Sequence, residues 1–489
     1  MSFWSDSKGT DWVFELAIAL FLVSGLILLP HYQYKINPDS IAYINIARNY
    51  LVGNWSEAVN GYWGPVYSWL MVPFLHFGIE PLAAAKILAL GTGVLTLFLL
   101  KKLINSPLAY IAIIPILLYQ SFYVINPDFL IVPIFFSYLI LILGEDFGKN
   151  KRKGILCGIL GGVGYLTKAY FFYFFIFHFS LIMVYRYWES KQKQIILNTI
   201  FGLLACIAIA VSWGVVLGVK YGHFTLGTAG GFNHALARTI ESKGYPMYYR
   251  GLVAPPNETA ASAWEEPILY KLDNWNPLSS WINLKTQLKI SGGNIAKTGG
   301  IIQDFTVFAA AIISGVLLSS FRKNLKGWLM LATAAIYAGG YSLITVEARY
   351  LWPIQIILLI MGLDLIKMVK PNKRWLSLVL CLSFVVLPLK EMRHDFELGK
   401  GFFTLSQRLE RELPLKGAKV ASDANWDTMD FLAYYLDYRY YGQTVSYLGK
   451  EIEYYFVWEK DEFVHPDYKK VSSISLNGAP VLKIYKRND

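Results

Sequence analysis

Charge is scarce in this sequence. Asp, Glu, Lys and Arg make up 16% of its 489 residues, where soluble globular domains carry about 25%. With 55% apolar residues, such a chain is poorly suited to a surface that faces water everywhere. Cysteine is scarcer still. Cys157, Cys206 and Cys381 all lie in apolar runs, without the spacing of a thiolate metal site or the even set of a disulfide framework. There is no internal repeat and no low-complexity tract. No pair of interrupted apolar segments recurs in matching halves, a common mark of secondary transporters. Finally, no small-residue cleavage site follows the first apolar run, Trp12 to Pro30. That run is expected to persist as a helix rather than leave as a signal peptide.

What the chain does have is long apolar runs. LAIALFLVSGLILL and QIILLIMGL belong to segments able to cross a hydrocarbon core of roughly 30 Å. The net charge of +11 would suggest nucleic acid in a soluble protein. Here it reads instead as Lys and Arg gathered in cytoplasmic loops, and no nucleic-acid partner is expected. Basic clusters lie at Lys101-Lys102, Lys149 to Lys153, Arg186 to Lys193, Arg322 to Lys326 and Lys367 to Arg374. Three apolar stretches have such clusters at both ends: Pro107 to Gly144, Gly154 to Tyr185 and Gly327 to Met368. One helix would put its two clusters on opposite sides, so each stretch predicts a hairpin with both ends inside. Single spans are expected at Trp12 to Pro30, Leu82 to Leu100, Ile195 to Val219, Ile301 to Phe321 and Trp375 to Leu389. The fold class is thus a polytopic α-helical membrane protein of about eleven spans, with the N-terminus cytoplasmic. Residues 1–389 form the membrane domain, with large outer loops at 31–81 and 220–300. The 220–300 loop shows no strong periodicity.

Residues 390–489 turn polar abruptly and are expected outside. GAKVASDA and APVLKIYKR read as strands and MDFLAYYLDY as a helix, which predicts a small α/β domain. In the first outer loop, Pro38 and Asp39 open an amphipathic helix with Ile41, Ile44, Ala47 and Leu51 on one face. Gly64 to Phe77 is about half the length a span needs and is read as a helix lying in the membrane interface.

Each predicted hairpin carries charge at its outer tip: Asp128 in INPDFL, Lys168 in YLTKAYFF, and Glu347 and Arg349 in TVEARYLWP. Every one of these has a plain structural explanation. Asp39 and Asp128 could be N-caps, Lys168 could snorkel from a helix end, and Glu347 could simply pair with Arg349. Their shared depth on one side points further. Carboxylates and cations around an outer pocket suit a lipid-linked phosphate, with a carboxylate taking a proton from an attacking hydroxyl and cations stabilising the departing phosphate. A transporter would place its charges nearer the midplane, and a non-catalytic assembly subunit would leave Asp39 and Lys168 without a common purpose. These two remain the alternatives.

In this setting several short motifs resemble the GT-C membrane glycosyltransferases, in the branch of bacterial aminoarabinose transferases and protein O-mannosyltransferases. Asp39, Tyr43, Ala47, Gly53 and Trp55 resemble that family's first outer loop, although Ser40 stands where many members carry a second acid. GYWGPVYSWL is similar to its interface helix, with Trp63-Gly64 in place of an acidic–lysine pair. Ala85-Lys86, Asp128, Leu166-Thr167-Lys168, His234 and Arg238 of GFNHALAR, and EARYLWPIQ follow in the family's order over roughly residues 10 to 370. The resemblance implies a polyprenyl-phosphate-linked sugar donor, inversion at the anomeric carbon, and chemistry on the external face of a bacterial inner membrane, serving a cell-envelope or glycolipid product. It implies Asp39 and Asp128 as catalytic residues, Lys168, Arg349 and Arg238 on the donor phosphate, and Tyr43, Lys86, His234, Glu347 and Tyr350 as substrate-binding. A divalent metal is possible, with His234 as a candidate ligand, and none is required. The acceptor could be a glycan, a lipid or a protein. The loop aromatics Phe232, Tyr245, Tyr248, Tyr249, Trp264, Trp275 and Trp281 suit sugar rings, but an interfacial aromatic belt uses the same residues.

Overall fold

The computed structural model describes residues 11–104, 106–148, 150–320, 323–369, 374–444, 448–458, 463–476 and 479–488. Parts of the basic clusters (Lys149, Arg322, Lys370 and Lys373) lie outside the described residues. The chain opens with α1 (Asp11–Tyr32). It passes through α2 (Pro38–Leu51), the single turn α3 (Trp55–Ala58) and α4 (Pro65–His76), and re-enters the bundle as α5 (Pro81–Leu100). Then come α6 (Pro107–Phe122), α7 (Asp128–Leu143), α8 (Lys151–Thr167), α9 (Tyr170–Ser190) and α10 (Lys193–Tyr221). After the outer helix α11 (Ala229–Lys243), α12 (Trp281–Phe305) meets α13 (Ala309–Leu318), followed by α14 (Leu325–Ser342), α15 (Trp352–Val369) and α16 (Arg374–His394).

This is an integral membrane protein, but the expected count of about eleven spans is not confirmed. Among the described residues, six helices are long and apolar enough to cross a membrane, or seven if α12 and α13, bent by 103°, count as one broken span. The six are α1, α5, α9, α10, α15 with the 3₁₀ turn before it, and α16. The other expected segments are helical but fall short of this standard. α6 and α7 have 16 residues each, roughly 24 Å at about 1.5 Å per residue. α8 starts with basic residues and is rich in glycine. The expected span at 301–321 is also redrawn. α12 begins at Trp281, well inside the segment read as outer loop, and the break comes at Thr306 to Phe308. A signal for this was present: Ser280 accepts the Asn283 N–H at 3.1 Å as an N-cap.

Small residues set the tightest helix contact. Gly154 and Gly158, one turn apart on α8, lie against Asn198 and Gly202 of α10, and a Cβ at Gly158 would collide with the Gly202 carbonyl oxygen. Helices in a membrane gain little from burying apolar surface against each other, so close backbone approach at small residues carries the packing. The main apolar core fills the bundle around Phe135, Tyr138, Trp352 and Ile356.

The C-terminal region contains α17 (Lys400–Glu412), α18 (Trp426–Leu436) and strands β1 (Lys419–Ser422), β2 (Arg439–Gln443), β3 (Tyr454–Val457), β4 (Tyr468–Leu476) and β5 (Ala479–Arg487). The sheet order is β2-β1-β3-β5-β4. β1 runs parallel to both β2 and β3, and β5 is antiparallel to β3 and β4. The two quoted strands and the helix are therefore present. One sheet face, with Val420, Tyr440, Phe456 and Ile484, shares a core with Ile41, Ile44, Trp63 and Met71 of the first outer segment. Alternation along β1 sends Ala421 to a small separate cluster on the other face. The main chain ties the outer loop to β2 as well: Tyr440 N–H donates to the Ala261 carbonyl at 2.8 Å and Val253 N–H to that of Tyr441 at 2.7 Å.

Candidate active site

Asp39 is not the cap of its helix. Asn37 fills that role, its Oδ1 accepting Ser40 N–H at 2.9 Å while Ser40 Oγ accepts Asn37 N–H at 3.2 Å. Asp39 sits in the first turn with its carboxylate free to reach outward. Its Oδ2 accepts Arg349 Nη2 at 3.1 Å, and its Oδ1 accepts the Trp264 indole N–H at 3.1 Å. Ser40, where many members of the resembled family carry an acid, donates its hydroxyl to the Ile125 carbonyl at 2.9 Å. That bond ties α2 to the turn that delivers Asp128.

Asp128 opens α7 and caps nothing; its own N–H goes to Asn126 Oδ1 at 2.8 Å. The buried carboxylate binds two cations, Lys168 Nζ on Oδ1 and Arg349 Nε at 3.5 Å on Oδ2. Lys168 ends α8, where extended backbone (φ −151, ψ 117) stops the helix. Its ammonium lies 3.5 Å from the centre of the Tyr350 ring, close enough for a cation–π contact. Gly64 packs against this helix end. A side chain there would overlap the Thr167 carbonyl oxygen, which accounts for glycine at a position where the resembled family can carry a charged residue.

Arg349 sits in a 3₁₀ turn, Ala348–Leu351, and is the hub. Besides Asp39 and Asp128, its Nε donates to Glu347 Oε2 at 2.7 Å. Tyr350 donates to Glu347 Oε1 at 3.4 Å and stacks on Tyr341 at 4.8 Å between ring centres. The cluster thus sets Asp39, Asp128 and Glu347 against Lys168 and Arg349. Only Glu347 is substantially open to solvent, its side chain 42% exposed. Tyr43 lies beneath, with edge contacts to Trp63 and Tyr67 at 5.3 and 5.4 Å. Burial first, then the charges of Asp128 and Asp39, push its phenol pKa upward.

The remaining expected site residues take other partners. His234 and Arg238 on α11 belong to a group around Trp275. His234 stacks on that ring at 4.7 Å and its Nε2 bonds Gln287 Oε1 at 2.8 Å, while Arg238 lies 5.5 Å from the ring centre. Lys86 on α5 is buried, its Nζ without a hydrogen-bond partner among the described residues, beside a small cavity lined by Gln120, Ser121 and Asn126. Among the described residues no group of three or more His, Cys, Asp and Glu is placed to hold a metal ion. The clustered carboxylates are already matched by cations and His234 is turned to other partners, so no metal step is derived.

Two contributors escaped the sequence reading. Trp264 appeared only as one loop aromatic among seven; it is 8% exposed and bonded to Asp39. Tyr341, in an apolar run, lies 5.5 Å from Lys168. The belt explanation does suit Trp281, which is 73% exposed.

No protein-family model matches the chain, and no curated protein matches it either. Among solved structures it is similar to ArnT from Cupriavidus metallidurans bound to undecaprenyl phosphate, with a TM-score of 0.54 and 13% identity over 97% of this chain and 98% of that one. The apo form of the same protein gives a TM-score of 0.45 at 13% identity, covering 98% of each chain. Over nearly its whole length, and despite the low identity, the chain has the fold of ArnT, a GT-C aminoarabinose transferase.

Proposed function

We propose that this protein is an inverting membrane glycosyltransferase of the GT-C type, moving a sugar from a polyprenyl-phosphate donor to an acceptor at the outer face of the membrane. One observation carries the reading: Asp39, Asp128, Lys168 and Arg349, far apart in sequence, are joined in one ion network at the ends of α2, α7, α8 and the turn before α15. The structural neighbour bound to undecaprenyl phosphate supports the donor class.

The network suggests an order of events. The donor phosphate approaches Lys168 and Arg349. Glu347, the exposed carboxylate, can turn to water without being stranded in a dry site. As Arg349 shifts toward the phosphate, its hold on Asp39 Oδ2 loosens and that oxygen becomes free to accept a proton. The acceptor oxygen attacks the anomeric carbon from the face opposite the phosphate, the bond from that carbon to the phosphate oxygen breaks, and the acceptor proton passes to Asp39. Lys168 and Arg349 stabilise the charge gathering on polyprenyl phosphate, in surroundings where preorganised cations act strongly. Asp128 stays paired with Lys168 and limits how far Arg349 moves. The test is release of polyprenyl phosphate by purified protein in nanodiscs. It would be offered a panel of labelled polyprenyl-phosphate sugars, with a membrane glycan and lipid extract as acceptor. If folded Asp39→Asn protein turns over as fast as wild type, Asp39 is not the base.

A further inference from the structure

The two oxygens of Asp39 are held by unlike partners. Oδ2 faces Arg349, which the proposed reaction draws away. Oδ1 faces the indole N–H of Trp264 at 3.1 Å, a neutral donor with no competing role in that reaction. The indole is closely boxed in. Tyr62, Trp63 and Phe232 lie 6.2, 6.3 and 6.2 Å away between ring centres, and Trp426 lies 6.3 Å away at a near-perpendicular 79°.

Its backbone is fixed from two sides. Ser262 Oγ accepts the Trp264 N–H at 3.3 Å, and the neighbouring Ala261 carbonyl is bonded by Tyr440 of β2. From the first outer loop, Trp63 Nε1 and Asn60 Nδ2 donate to the Glu265 carbonyl at 3.1 and 2.8 Å. Trp426, in the first turn of α18, is itself 1% exposed. An unbroken chain of packed groups therefore runs from the C-terminal sheet and α18, through Trp264, to the Asp39 carboxylate.

We propose that Trp264 is a positioning residue for Asp39, and that the C-terminal region serves the reaction through it. The indole N–H grips Oδ1 and keeps the carboxylate oriented, so that Oδ2 meets the acceptor hydroxyl once Arg349 has turned to the donor phosphate. This rests on Asp39 being the base. A side chain in the first turn of a helix has several rotamers open to it, and a carboxylate released by its arginine would otherwise be free to turn.

The test compares two replacements in the full-length protein. Trp264→Phe keeps an aromatic ring but loses the donor. Site-specific 3-benzothienylalanine at 264 keeps the bicyclic shape and puts sulfur in place of N–H. Both are expected to lower kcat about tenfold, the weight of one hydrogen bond to a charged group, with KM for the donor within about twofold of wild type. The benzothienyl protein should also keep its thermal midpoint. If it turns over at the wild-type rate while Trp264→Phe is slow, only ring packing matters and the proposal falls. A rise in donor KM with kcat unchanged would overturn it too, by placing Trp264 in donor binding. The underlying reading fails separately: Asp39→Asn at wild-type rate removes the base whatever Trp264 does, whereas an inactive Asp39→Asn beside a fully active benzothienyl protein removes only this inference.

Discussion

Two groups of acids with little exposure to solvent lie close together in this protein, and they are treated in opposite ways. Asp39 and Asp128, at the helix ends, are met by Arg349 and Lys168. The scaffold acids Glu265 and Asp430, in the layer between the outer loop and α18, form no ion pair among the described residues, and Arg48 acts on Glu265 only at longer range. Glu265 Oε1 accepts from Asn45 Nδ2 and Ala261 N–H, both at 2.7 Å. Among the described residues neither carboxylate oxygen of Asp430 has a well-formed hydrogen bond, although the Ser262 hydroxyl offsets part of its burial. Burial raises Glu265 to about 8 and Asp430 to about 7. Near neutrality Glu265 is therefore mostly protonated and Asp430 about half so, while Asp39 and Asp128 sit in an ion network whose cations, on the proposed reading, the donor phosphate would claim. Burial alone does not mark a catalytic centre; what sets Asp39 and Asp128 apart is the pair of cations that joins them.

The comparison can be tested from its largest effect downward. Asp39→Asn should cut glycosyl transfer about 10²–10⁴-fold, the usual weight of a general base, while the protein still binds labelled donor. A loss of donor binding equal to the loss of turnover would instead make Asp39 a binding group. Lys168→Met should weaken donor binding by about 10–100-fold, as expected for one lost charge-assisted contact. Unchanged affinity in a donor-binding titration would remove Lys168 from the phosphate site and leave it as the partner of Asp128.

The scaffold acids should show up in stability rather than rate. For Glu265 the folded pKa lies above the unfolded value of 4.5. The folded protein then holds the extra proton between about pH 4.5 and 8, and stability falls as pH rises through that window. Glu265→Gln keeps an acceptor for Asn45 and Ala261 and should flatten the fall in thermal midpoint, with kcat nearly unchanged at neutral pH. An unaltered slope would show that Glu265 is not protonated in the fold. Asp430→Asn should behave alike but less strongly, since its window closes at about 7. A large drop in kcat for Asp430→Asn would move that residue into the catalytic group and dissolve the contrast.

Much of this protein follows from local composition. Apolar runs long enough to span, basic clusters between them, and charges at the interruptions point to a membrane bundle and to Asp39, Asp128, Lys168, Glu347 and Arg349. The strands at Lys419–Ser422 and Ala479–Arg487 and the helix at Trp426–Leu436 announced themselves by periodicity. These signals need only the chain's own neighbours along the sequence. Other features are relations between distant segments. The number of spans depends on helix length and on the bend after Phe305, which hydropathy blurs. The motifs mark His234, Arg238 and Lys86 as site residues, but only packing shows that the first two gather at Trp275 and the third is buried beside Gln120. Trp264 looked like one more loop aromatic until a sheet strand and α18 pressed its indole against Asp39. The sequence by itself determined which groups could carry charge at the membrane's edge, because desolvation makes a charge in an apolar run costly and therefore conspicuous. Only the tertiary structure decided which of those charges meet, because an ion pair or an indole hydrogen bond depends on a few ångströms set by packing.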